Sequence, residues 1–121
     1  DSAGEWSIAK NVFVATRSGW FSCRTACYLA AGRPAVVQDT AWSSYIPSGQ
    51  GAIAFSTMDE AVEGLARVTA DPIRHRQAAY DIAREYLAAD KVLPLMLEAI
   101  FARPRKDPTT AGPIPPSVAA T

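Results

Sequence analysis

The chain has 121 residues, 49% of them apolar, and its 12 basic and 12 acidic side chains give a formal charge of zero. That size supports one globular core and excludes a two-domain enzyme as the whole content of the chain. A zero net charge supplies no field to draw nucleic acid or an anionic membrane, and no apolar run nears the ~18 residues that a membrane span requires.

The chain opens at Asp1 with neither an initiator Met nor a basic segment followed by an apolar one, so it reads as a processed product or an excerpt. Trp6 and Ile8 belong to a segment too short to type. Val12-Phe13-Val14-Ala15 is a β-branched and aromatic run with the composition of a buried strand, and Thr16-Arg17-Ser18-Gly19 breaks it. Ser22 is placed to cap a helix running to about Ala31, with Gly32 at the position beyond its end and Pro34 barring continuation. Ala35–Gln38 is a second buried strand, and strand, helix and strand in tight succession predict a right-handed unit with parallel strands.

A loop from 39 to 51 leads into Ala52–Phe55, a third strand. Thr57-Met58-Asp59-Glu60 has the form of a capping box, opening a helix to about Thr69. Its predicted inward stripe is Ala61, Val62, Leu65 and Val68, with Glu63 and Arg67 paired on the wet side. Asp71-Pro72 repeats the signal for a helix to about Ala88 with Ala79, Ile82, Ala83 and Tyr86 on one face, and Leu93, Met96, Leu97 and Ile100 mark a last helix. The predicted architecture is α/β, a partial Rossmann-like three-layer domain over 1–102 with a short parallel sheet of about three strands and four or so helices. Residues 103–121 are rich in Pro and poor in large apolar side chains, which predicts a disordered tail.

Chemistry concentrates at Ser18-Gly19-Trp20-Phe21-Ser22, between a strand end and a helix start. Ligands of open α/β sheets bind beyond the carboxyl ends of strands, where a helix N-terminus offers free amides to a phosphate. Gly19 permits close backbone approach, Ser22 adds a hydroxyl, and Arg17 or Arg24 is available to neutralise charge; a plain turn satisfies the same residues. Asp39 leaves the next strand towards the same crevice and either accepts from sugar hydroxyls or closes an Asx turn, while Trp42 either stacks on a ligand ring or belongs to the core. Cys23 and Cys27, four apart on one helix face, read as free thiols of a reducing cytoplasm. His75, the only histidine, reads as a solvated residue rather than a base, and neither a metal site nor a cofactor motif is expected.

Ser18–Ser22, Ala26-Cys27-Tyr28-Leu29-Ala30-Ala31-Gly32-Arg33-Pro34 and Val36-Val37-Gln38-Asp39-Thr40 together resemble the C-terminal nucleotide-sugar-binding domain of GT-B glycosyltransferases, and more narrowly a bacterial group labelled family-one-like. The similarity runs on through Pro47–Gly51, Phe55–Thr57, Glu60–Val62 and Ile82–Tyr86. It implies a nucleotide-diphosphate-sugar donor near Gly19, Trp20, Phe21 and Ser22, with Asp39 and Thr40 lining the sugar pocket and no required metal. It also implies a missing N-terminal domain carrying the acceptor site and catalytic base, so this chain holds no catalytic residue and is expected to be silent alone. Four departures stand out: Cys27 where many members carry a ribose-binding Glu, Cys23 where the narrower group has Asp, Ala41 where it has Gly, and Gln50 where it has Glu. A second expectation is a non-catalytic, degenerate module acting by nucleotide binding or as a homo-oligomer, through a sheet edge left open by the missing strands.

Overall fold

The computed structural model describes residues 2–102, and the expected tail at 103–121 lies outside them. Strands β1 (Glu5–Ser7), β2 (Ala35–Gln38) and β3 (Ala52–Phe55) form one sheet in the order β1-β2-β3, all parallel. Glu5 pairs with Ala35, and Ala35 in turn with Ala52. β2 is therefore bonded on both edges, and its Ala35, Val36 and Val37 are buried on alternate faces. Consecutive apolar residues are what a strand covered on both faces requires.

On one face, Ala35, Val37 and Ala52 pack with Leu29, Trp42, Ile46, Ala79 and Ile82. On the other, Val36, Ile53 and Phe55 pack with Ala61, with Val68 against them. The first layer comes from α2 (Cys23–Ala30) and α4 (Pro72–Ile82), the opposite one from α3 (Met58–Ala70). The result is a small three-layer α/β domain, as the pattern of alternating elements predicts.

Helix boundaries follow local chemistry closely. Ser22 caps α2, its Oγ accepting from the Arg24 amide. At the other end the Gly32 amide donates to Leu29 O (2.9 Å) and the Arg33 amide to Tyr28 O (2.8 Å), the double closure of a Schellman end. Thr57 and Glu60 form the reciprocal capping box of α3, and Asp71 with Pro72 opens α4. Beyond Ile82 the helix continues as a π-helical turn, Ala83–Leu87, before Ala88 breaks it and α5 (Ala89–Ala102) begins.

Five expectations need correction. Val12–Ala15 is not a strand: Asn11–Ala15 forms a short helix, α1, and the edge of β2 is taken instead by Glu5–Ser7. The upstream segment alternates, with Glu5 buried and Trp6 46% exposed, so it suits a sheet edge better than a uniformly apolar run does. The buried face of α3 is Ala61, Gly64 and Val68, whereas Val62 is 60% and Leu65 41% exposed. Gly64 decides that rotation, because a Cβ there would stand 3.1 Å from both Ile53 Cγ2 and Val36 Cγ1, so its missing side chain lets α3 close on the sheet. Arg67 does not serve Glu63 but donates to Gly49 O at 2.7 Å, and Tyr86, on the π turn, is turned out to 43% exposure.

His75 is the fifth correction. It is only 5% exposed, and its Nδ1 accepts from the Gly51 amide (3.2 Å), joining α4 to the start of β3. Burial pushes its pKa down, and the nearby Arg67 and Arg74 push the same way, against Asp71. Because the folded pKa lies below the unfolded value near 6.5, the unfolded chain binds the proton more readily. The contribution of His75 is thus complete above about pH 6.5 and is lost as pH falls through the folded pKa. Melting temperature should decline between neutral pH and about pH 5. His75→Gln, which keeps an acceptor for Gly51, should flatten that decline; an unchanged acid limb would assign it elsewhere.

Candidate functional site

The connection from β1 to α2 and the loop leaving β2 meet at the carboxyl ends of the strands. Their union is a set of hydrogen bonds rather than apolar packing alone. The Gly19 amide donates to Thr40 O at 2.7 Å, and the Thr40 hydroxyl donates to Trp20 O at 2.6 Å. The Tyr45 hydroxyl donates to Gly19 O, and partial desolvation, with Asp39 assisting, raises its pKa. Gly19 lies at φ +73, where a Cβ would fall 2.7 Å from the Tyr45 oxygen, so a side chain there meets both backbone strain and a neighbour.

The seven sequence-selected residues therefore come together, in unequal roles. Ser18 Oγ accepts from the Trp20 amide at 3.3 Å and shapes the turn. Trp20, 42% exposed, stacks on Phe13 with ring centroids 4.9 Å apart and an interplanar angle of 8°. Phe21 packs edge-on against Trp42 at 5.2 Å. Ser22 caps α2, its Oγ taking the Arg24 amide, so the start of that helix and the positive end of its dipole lie beside the carboxyl ends of the strands. Thr40 is 1% exposed and holds the Trp20 turn from beneath, as a positioning residue.

Asp39 is an Asx-turn residue: Oδ1 accepts from the amides of Ala41 (3.0 Å) and Ser43 (3.4 Å), and Oδ2 from Ser43 Oγ (3.1 Å). A carboxylate has room for further donors, so the turn orients the group without exhausting it. Of the two roles open to Trp42 the core one holds, since it is 1% exposed and its Nε1 donates to Gln38 O. Arg24, offered for charge neutralisation, binds Glu5 Oε1 through Nε at 2.8 Å, although its side chain remains 62% exposed. Sequence reasoning missed Glu5: it is buried, also accepts from Ser7 Oγ, and its Oε2 is without a hydrogen-bond partner among the described residues. Alternation within Glu5-Trp6-Ser7 was the available signal, obscured by three residues being too few to type.

Between these loops the space is nearly closed. A cavity of only about 10 Å³ is lined by Trp20, Phe21, Ser22, Thr25, Gln38 and Trp42, among others. Larger cavities of about 440 and 400 Å³ lie by Gly32 and by Gly49 and Gln50, next to the amino ends of β2 and β3. Cys27 faces neither region but lines a groove with Ala26, Ala83 and Leu87. Both cysteines are free and exposed. Among the described residues no helix is long and apolar enough to cross a membrane. No protein-family model, curated protein or solved structure matches the chain.

Ala41 takes φ +79, a left-handed conformation that costs a residue with a Cβ roughly 1–2 kcal/mol. Ala41→Gly should therefore stabilise the fold, by about 1 kcal/mol after the extra chain entropy of glycine is set against it. Gly19→Ala should do the reverse, costing about 1–2 kcal/mol. Denaturant midpoints measure both, and shifts of the same sign at the two positions would refute the reading of this loop pair.

Proposed function

We propose that the chain is the C-terminal, donor-binding part of a GT-B-like glycosyltransferase, which transfers a sugar from a nucleotide-diphosphate donor and is inactive as this piece alone. The observation that carries it is the N-terminus of α2, capped by Ser22 at the carboxyl end of a parallel sheet, behind a glycine in the left-handed region. A diphosphate there would accept from helix-start amides and meet the positive end of the helix dipole. As the bond between the anomeric carbon and the diphosphate breaks, negative charge grows on the leaving oxygen, and preorganised amides stabilise that charge more than the ground state.

Each residue has a stated part in this reading. Gly19 gives the backbone room, Ser22 fixes the helix start, and the Trp20 ring, resting on Phe13, covers the donor. Asp39 is turned by its Asx loop towards the sugar hydroxyls, and Thr40 holds the Trp20 turn in register. The acceptor site and base lie in the missing domain, so the orientation that is worth about 7–11 kcal/mol of barrier is absent from the chain by itself.

Calorimetric titration with nucleoside diphosphates and their sugars tests the site. The wild-type chain should bind without transferring sugar. Ser22→Asp keeps a competent helix cap yet sets a negative charge where phosphate would lie, so it should weaken binding by at least about tenfold with the fold intact. Equal affinity of the two proteins would remove the site from α2, and sugar transfer by the isolated chain would refute its predicted silence.

A further inference from the structure

α5 has no buried residue along its 14 positions. Its seven large apolar side chains, from Val92 to Phe101, are each at least 40% exposed, and Phe101 is 81% exposed. The charges on it are Asp90, Lys91 and Glu98. Such a helix leaves on the order of 700 Å² of apolar surface uncovered, near the roughly 800 Å² per partner of a standard interface and above the patch of a typical monomer.

The same domain carries an apolar groove of about 380 Å³ between α2 and the α4–π segment, floored by Ala26, Ala30 and Ala83 and walled by Tyr80 and Leu87. Small residues on the floor let a helix axis approach closely. Arg84 is the charge on the groove wall, and Glu98 of α5 is its complement. The helix does not fold back into its own groove. Ala88 alone, extended at φ −65 and ψ 139, links the π turn to α5, whereas reversing a helix onto its neighbour takes about 2–5 residues.

We propose that two copies of this chain exchange α5, each seating the helix in the α2–α4 groove of the other to form a two-fold dimer. Reciprocal exchange covers both helices and both grooves with a single closed interface, the economy of a domain swap. The proposal uses neither Ser22 nor the strand ends, and it concerns the chain without the further domain that the nucleotide reading invokes.

Sedimentation analysis of the full chain, from low micromolar to near-millimolar concentration, should give twice the 12.9 kDa monomer mass at the upper end. Met96→Lys on α5 and Ala30→Arg on the groove floor should each give monomers of wild-type helicity; a cation at Ala30 also suits the last turn of α2. In a Cys23→Ser background, maleimide labelling of Cys27 should slow by about tenfold on dimerisation, as burial under a partner helix predicts. A wild-type monomer throughout the range would overturn the proposal. So would a dimer that survives Ala30→Arg, or one in which Cys27 reacts at the monomer rate, since either would place α5 outside the groove.

Discussion

β2 has no wet face and no free edge, and most of the structure follows from that constraint. Its Ala35 and Val37 must be covered by α2 and α4, its Val36 by α3, and its backbone groups by β1 and β3. Parallel neighbours require crossovers, so the helices are obliged to lie on the two faces. The carboxyl ends of all three strands then emerge together. That alone brings the loop at 18–22 beside the loop at 39–45, although about 20 residues separate them in the chain.

How those loops meet is a matter of polar chemistry. Thr40 is buried because its hydroxyl finds the Trp20 carbonyl, and its own carbonyl takes the Gly19 amide; a buried pair left unmatched would cost more than the bonds contribute. The Asx turn at Asp39 forces Ala41 into left-handed backbone, a strain held in place by Trp42 packing just beyond it. Glu5 drawing Arg24 to the sheet edge changes the local electrostatics. The helix start keeps its dipole, while its nearest guanidinium already has a carboxylate. An anion there would rest on backbone amides more than on side-chain charge.

Much of this was readable along the chain wherever the signal is local. Ser22, Gly32, Thr57 with Glu60, and Asp71 with Pro72 punctuate helices by satisfying amides and carbonyls a few residues away, and the structure places every one of those ends as read. The seven site residues were selected for the same reason, since turns and helix starts have local chemistry. The strand at Val12–Ala15 failed because β-branched composition is shared by strands and by any short covering segment. Which segment pairs with β2 is settled by the partner edge.

What the amino-acid order determined by itself was the alternation of elements, hence an α/β domain with a parallel sheet, and the residues that cap its helices. These depend on hydrogen bonds spanning five residues or fewer and on periodicity. Only the tertiary structure decided that Glu5–Ser7 is the edge strand, that Gly64 turns α3 onto the sheet, that His75 is buried against Gly51, and that among the described residues nothing buries a side chain of α5. Each of those is a contact between distant segments, whose energy depends on shape and on what else competes for the same surface, and neither is written in any one stretch of chain.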